Sequence, residues 1–354
     1  MIHSLSRART IVGVLLATLS LMLAGCALEG SGPDTASPKD DTDEMTTVKV
    51  GYLHTVAVDA HLWLGIVDGT WEKHGIKVEP VRFDTGIALS QALSGGSVDV
   101  AIMGAVISNF PARGGSKIFL LNDVEYDTAQ LWVHPESGIT SVKDLAGKKV
   151  LTTQGTTAHV FLHNALKENG VDPTSVQVVD AAMPAAVSAF ISKAAPAVAL
   201  WVPFDANVKK NAPTAKMIDS AKSYYPDAAI LGGWITSDKF HKERRDVLKK
   251  IAAGWLEVNE QLVGDTKTAL KKVHDKAYAD TQELEDTERQ FSFEKAFTND
   301  EWVEMYGNGE VIEWIDKVER TFIEIGGLPT YRDPKEFFDP TILTEAAKER
   351  GGNE

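Results

Sequence analysis

The sequence predicts an α/β protein of two lobes with a helical C-terminal segment. Three observations carry this. Short β-branched and apolar runs alternate with helical stretches from residue 48 to about residue 219. The alternation falls into two successive units, the second opening near Ala129. From Ser237 onward almost every segment has helical periodicity.

In the first unit, 48–53 reads as a strand and 59–74 as a helix with Leu62, Ile66 and Trp71 inward, closed by Gly75. A strand at 77–83 turns through Asp84-Thr85-Gly86 into a helix at 87–93. Strand 98–103, a helix opened by Gly104 and reaching about Ala112, and strand 118–122 complete it. Strand 129–134 leaves for the second unit, with strands at 148–152, 176–180, 196–202 and 215–219 and helices at 157–169, 183–193 and 203–211. The run 229–236 is β-like and returns to the first unit. Helices are expected at 238–263, 266–280, 283–291, 299–306 and 310–325. This predicts one lobe from 48–130 with 231–354 and a second from 131–230. Ligands of open α/β sheets bind outside the carboxyl ends of strands, so the cleft between the lobes is the expected site.

Residues 1–25 have the layout of an export signal. Arg7 and Arg9 precede an apolar run from Ile11 to Leu23 that is short for a membrane span. The following Leu23-Ala24-Gly25-Cys26 resembles the lipobox of bacterial lipoproteins, which implies cleavage before Cys26 and lipidation of its thiol. Cys26 is the only cysteine of the 354 residues, which excludes an internal disulfide, a cysteine metal site and a cysteine nucleophile. Residues 26–47, rich in Gly, Ser, Pro, Asp and Thr, read as a solvated tether. The formal charge of −14 argues against nucleic acid as a partner.

The stretch from Gly147 to Gly170 runs from a strand through a Gly/Thr loop into a helix. Unpaired N–H groups at such a helix start, with the dipole behind them, suit an anion, and the hydroxyls of Thr156 and Thr157 add donors. The same residues also suit ordinary capping. His159 and His163 stand four apart on this helix. With no Glu between them and no cysteine nearby, no metal is expected, and His159 reads as a hydrogen-bond donor in the cleft and His163 as structural. Asp59, Asp84, Glu125, Asp127 and Asp205 stand near strand ends or helix starts, and His54 and His61 flank the first loop. The charged tail from Thr281 is assigned no chemistry.

Val50-Gly51-Tyr52, Phe83-Asp84-Thr85-Gly86, the run from Gln91 to Ala101 with Gly104, Asp144 to Val150, Gly155 to His159 and Trp201-Val202-Pro203 follow one another in order. Together they resemble the solute-binding proteins of taurine, aliphatic sulfonate and nitrate ABC importers, over about 48–262. The resemblance implies a type II periplasmic-binding-protein fold, a ligand gripped between the lobes, and delivery to a permease driven by an ATPase. It places the pocket on the loop from Leu53 to Asp59 (with His54), on Asp84 and Thr85, on Gly104 and Ala105, on Thr156, Thr157 and His159, and on Trp201. Asp205 joins this set from the start of the helix after Trp201. Val202 stands where sulfonate binders commonly carry an acid, and no matched pocket position holds Arg.

The expected function is therefore that of a monomeric, exported receptor, lipid-anchored to the outer face of the cell membrane or in the periplasm, needing no cofactor. Its ligand is expected to be an organosulfonate such as taurine. Nitrate, an aromatic or aliphatic carboxylate and a thiamine-precursor pyrimidine are the alternatives, and a ligand sensor without transport is another. Asp59, Asp84 and Asp205 predict an acidic mouth that favours an amine-bearing ligand over a bare anion. No enzymatic activity is expected: the pyrimidine-forming thiamine-pathway proteins of this architecture carry a Cys-rich motif that is absent here. The chain also has neither a Gly-x-Ser-x-Gly elbow nor a phosphate-cradling Gly-x-x-x-x-Gly-Lys loop.

Overall fold

The computed structural model describes residues 45–352; the expected export signal, Cys26 and most of the tether fall outside them. The first sheet has the order β2-β1-β3-β10-β4, from β1 (Thr46–Tyr52), β2 (Ile76–Arg82), β3 (Val100–Met103), β4 (Ser116–Val124) and β10 (Leu231–Ser237). The second has the order β7-β6-β8-β5-β9, from β5 (Ala129–Val133), β6 (Lys149–Thr152), β7 (Gln177–Asp180), β8 (Ala197–Trp201) and β9 (Lys216–Ser220). In each sheet one strand runs against its neighbours: β10 between β3 and β4, and β5 between β8 and β9. The predicted return of 229–236 to the first sheet is thus observed as β10.

Helices α1 (Val56–Val67), α2 (Thr70–Lys73), α3 (Gly86–Ser94) and α4 (Asn109–Ala112) belong to the first α/β unit, and α5 (Thr157–Glu168), α6 (Met183–Ile191) and α7 (Phe204–Asn211) to the second. The helical remainder comprises α8 (Asp238–Glu243), α9 (Arg245–Gly264), α10 (Thr266–Val273), α11 (Leu284–Phe291), α12 (Asn299–Asn308), α13 (Glu310–Glu324) and α14 (Thr341–Gly351). Several of these differ from the sequence reading. The helix expected over 59–74 starts earlier and breaks at Gly69, whose φ of +67° lies in the left-handed region. The helix expected over 238–263 is interrupted at Arg244 (φ −130°, ψ 38°). Gly104 opens a short 3₁₀ turn (Ala105–Ile107) before α4, not one continuous helix. α14 was not foreseen; it packs on α9 and β4.

Two features of the core position the site. Asn122, buried near the end of β4, accepts from both Trp234 Nε1 (3.0 Å) and Trp255 Nε1 (2.9 Å) and donates to Val58 O (2.9 Å). A buried amide satisfied on both its oxygen and its nitrogen locks the strand's end between β10, α1 and α9. Beyond it, the chain crosses to the second sheet through 125–128 and returns through 225–230. The crossing segments bond side by side, Glu125 N–H to Ile230 O (2.8 Å), and 293–295 bonds to the first of them through Asp127 N–H to Phe293 O (2.8 Å) and Lys295 N–H to Val124 O (3.0 Å).

Candidate functional site

The two helix starts singled out by the sequence come together. Gly104-Ala105 follow β3 in the first sheet, and Thr157 opens α5 after β6 in the second. They meet on one side chain, Glu125. Its Oε1 accepts from Ala105 N–H (3.1 Å) and Thr157 Oγ1 (3.2 Å), and its Oε2 accepts from Thr128 Oγ1 (3.2 Å). Position 104 has to be glycine for this: a Cβ there would lie 2.2 Å from Glu125 Oε1. The donors expected to receive an anion from outside thus hold a carboxyl of the chain itself. Burial, reinforced by the charge of nearby Asp123, pushes the Glu125 carboxyl up to about 8, against the pull of its three donors. Near neutral pH most of it carries a proton.

Thr156 turns inward on its own loop, donating to Thr153 O (2.7 Å). His159 accepts from Gly155 N–H through Nδ1 (3.1 Å), which puts its proton on Nε2. Burial first, and then the neighbouring His163, lower it to about 4, so it is a neutral donor. His163 is held by Glu324 of α13 at 2.7 Å.

On the first sheet, His54 leaves β1 with φ +52°, a left-handed conformation that is strained for a side chain of this size. The turn lays its imidazole on Tyr278, ring centroids 4.4 Å apart and planes 5° from parallel. Tyr278 is carried there by a π-type turn, His274–Tyr278, that extends α10. Asp59 lies beneath, fully buried. Tyr278 Oη donates to its Oδ1 (2.5 Å) and Trp63 Nε1 to its Oδ2 (3.0 Å), and burial pushes its carboxyl up to about 7 despite these bonds. Asp84 and Thr85 are exposed, and Thr85 caps α3 by accepting from Ala88 N–H (3.2 Å).

The acidic mouth expected from Asp59, Asp84 and Asp205 needs correction. Only Asp84 reaches solvent. Asp59 is enclosed, and Asp205 is buried with Oδ2 shared by Lys209 (2.8 Å) and Arg289 of α11 (2.8 Å). Trp201 is partly buried at the end of β8, its indole edge-on to Phe204 at 5.6 Å. The sequence reading counts Glu125 among five acids near strand ends without choosing it for the pocket, and gives no role to Tyr278, Arg289 or Glu294. For Glu125 a signal existed, since it directly follows the longest strand of the first sheet. For the tail residues none did, because their contacts span 84 to 219 positions.

Two such sheets, each with its carboxyl-end loops turned to the same junction, define the fold of the periplasmic binding proteins. The chain belongs to the NMT1/THI5-like family, whose model matches residues 68–261. It is 28% identical over 298 residues to a candidate binding protein of Brucella abortus, covering 82% of this chain and 89% of that one. It is 24% identical over 208 residues to the taurine-binding periplasmic protein of Escherichia coli, covering 58% and 64%. Among solved structures it superimposes on the alkanesulfonate-binding protein SsuA of Xanthomonas axonopodis pv. citri bound to MOPS, with a TM-score of 0.67 and 17% identity, over 83% of this chain and 98% of that one.

Proposed function

We propose that the protein is the substrate-binding lipoprotein of an ABC importer, capturing a small organosulfonate such as taurine, or a similar zwitterion, between two lobes and passing it to a permease driven by an ATPase. The lobes of this reading are 48–130 with 231–354, and 131–230, and Cys26 is the lipid anchor at the outer face of the cell membrane. The observation that carries it is the convergence of Ala105 N–H and Thr157 Oγ1, from separate sheets, on one buried carboxyl. A ligand entering there would touch both sheets and so bias the balance between open and closed arrangements. The names of the relatives support the solute class, and His159 Nε2–H and the Trp201 face are the further contacts of this reading. None of the relatives reported above is named as an enzyme.

A second reading is favoured by Glu125 itself. A carboxyl at the centre of the site also suits the exocyclic amine of an aminopyrimidine, the thiamine-precursor class. A thermal-shift screen of sulfonates, nitrate, carboxylates and pyrimidines tests both. A ligand at a hundredfold its Kd adds about 2.7 kcal/mol of stability. The absence of any shift across the four classes overturns the receptor reading for small anions and zwitterions.

A further inference from the structure

Three carboxyl groups, Asp123, Glu125 and Glu294, are buried together at the carboxyl end of β4. Asp123 and Glu125, two apart along an extended chain, lie on the same side, and each rests over a glycine of a neighbouring segment. A Cβ at Gly232 would meet Asp123 Oδ1 at 2.2 Å, as one at Gly104 would meet Glu125. Glu294 arrives from the segment that braces the crossing. Glu125 is served by the three neutral donors described above, and Asp123 Oδ1 by the Asn122 amide (3.1 Å).

The rest of the set is unserved. Asp123 Oδ2 and both oxygens of Glu294 are buried without a hydrogen-bond partner, and Glu294 as a whole is only 8% exposed. Burial and the neighbouring Asp123 hold the Glu294 carboxyl well above its ordinary range. No Lys, Arg or His among the described residues acts on any of the three. The nearest cation in sequence, Lys295, is turned to the rings of Tyr126 (5.8 Å), Tyr225 (5.3 Å) and Phe297 (5.3 Å). Burying carboxyls without a counter-charge is costly, and what the set lacks is a cationic or N–H-rich partner. The contact of Glu125 with Thr157 joins the set to the junction between the two sheets.

We infer that this carboxyl set, with Glu125 as its contact residue, is the subsite that receives the protonated amine or ring-borne amino group of the ligand, an inference that rests on the solute-binding reading above. It replaces Asp59 and Asp205, which are already occupied by Tyr278, Trp63, Lys209 and Arg289. A zwitterion sets its ammonium against Glu125, which gives up its proton to solvent on binding, and its acid group falls to the α5 side, where His159 offers Nε2–H. The ligand class is thus a small molecule carrying an amine, not a bare anion.

The test is calorimetry of the full mature chain with two matched pairs: taurine beside ethanesulfonate, and 4-aminopyrimidine beside pyrimidine. In the wild type the amine-bearing member of a pair binds at least about tenfold tighter, as expected of a charge-assisted hydrogen bond. Glu125→Gln keeps length, volume and acceptor, and brings the ratio to within about twofold of unity. Glu294→Gln, whose side chain lies outside the Ala105–Thr157 cradle, lowers the ratio in part and keeps the test open should Glu125→Gln melt early. A ratio preserved in both variants, or equal affinities in the wild type, overturns the inference and leaves the receptor reading standing. Failure of all four probes to bind the wild type overturns the inference together with its ligand class.

Discussion

Thr157, in the first turn of α5, donates its hydroxyl to Glu125 at the end of β4, 3.2 Å away, and so ties a helix of the second sheet to a strand end of the first. The same carboxyl oxygen takes Ala105 N–H. Thr157→Val keeps the shape and removes one of the two donors. The expected cost in ligand-free stability is about 1 kcal/mol, the net worth of a typical hydrogen bond. Ligand affinity should fall further than that, because the hydroxyl also belongs to the proposed cradle. Denaturant titration beside calorimetry with taurine separates the two, and an unchanged Kd removes Thr157 from the site.

Gly104→Ala tests the same junction from the other side. The new methyl would lie 2.2 Å from Glu125 Oε1 and 3.4 Å from Thr157 Oγ1, so the carboxyl has to leave its seat. Overpacking of this kind costs about 1–3 kcal/mol. The expected outcome is a lower melting temperature together with a loss of binding larger than that of Thr157→Val. A variant that melts and binds like the wild type would show that Glu125 has room elsewhere, and that its position in the cradle is not required.

How far the sequence reveals this arrangement depends on range. The strand–loop–helix units were legible because each is closed by local signals: Gly75 after α2, Thr85 before α3, Gly170 after α5. Gly104 and Thr157 were legible for the same reason. What their donors face was not, because hydrophobic periodicity reports that a surface is covered and is silent on what covers it. Asp59 reads as an ordinary first-turn acid. Its enclosure depends on Tyr278, 219 positions away, delivered by a π-type turn that has no sequence signature. Asp205 similarly meets Arg289 from a segment whose charges look like a solvated helix face.

Trp201→Ala should weaken ligand binding more than it lowers ligand-free stability. The indole is partly exposed at the end of β8, packed against the core on one side and perpendicular to Phe204, so truncation removes only part of a buried contact. A face that a ligand covers loses about 1–3 kcal/mol of binding on truncation. Equal losses in affinity and in apo stability would make Trp201 a packing residue.

Cys26→Ser addresses anchoring. The Leu23-Ala24-Gly25-Cys26 run closes the apolar part of the leader and is the sole basis for the lipid anchor. The wild type should partition with membranes and carry acyl chains on Cys26 by mass spectrometry, and the variant should do neither. A wild-type chain recovered without lipid ends the lipoprotein reading while leaving the fold and site untouched.

The buried acids also set how stability depends on pH. Burial raises Asp59 to about 7 and Glu125 to about 8, so the folded chain keeps protons that unfolded carboxyls release near pH 4. The folded state then binds more protons than the unfolded state, and stability declines as pH rises toward those values. His61 and His159 act in the opposite sense. Burial lowers both to about 4, so the unfolded state binds the extra protons, and stability is lost as pH falls below the ordinary histidine value. The two effects oppose each other, and above about pH 6.5, where free histidine is at most half protonated, the carboxyls outweigh the histidines. The carboxyls dominate from there to pH 8. Each proton so held contributes about 1.4 kcal/mol per pH unit. The melting temperature should therefore fall over that interval, and Glu125→Gln should make the fall shallower by removing one of its contributors. A melting temperature that is flat or rising from pH 6.5 to 8 in the wild type would mean that Glu125 ionises as an ordinary carboxyl, with a counter-charge or water reaching it through the junction with Thr157.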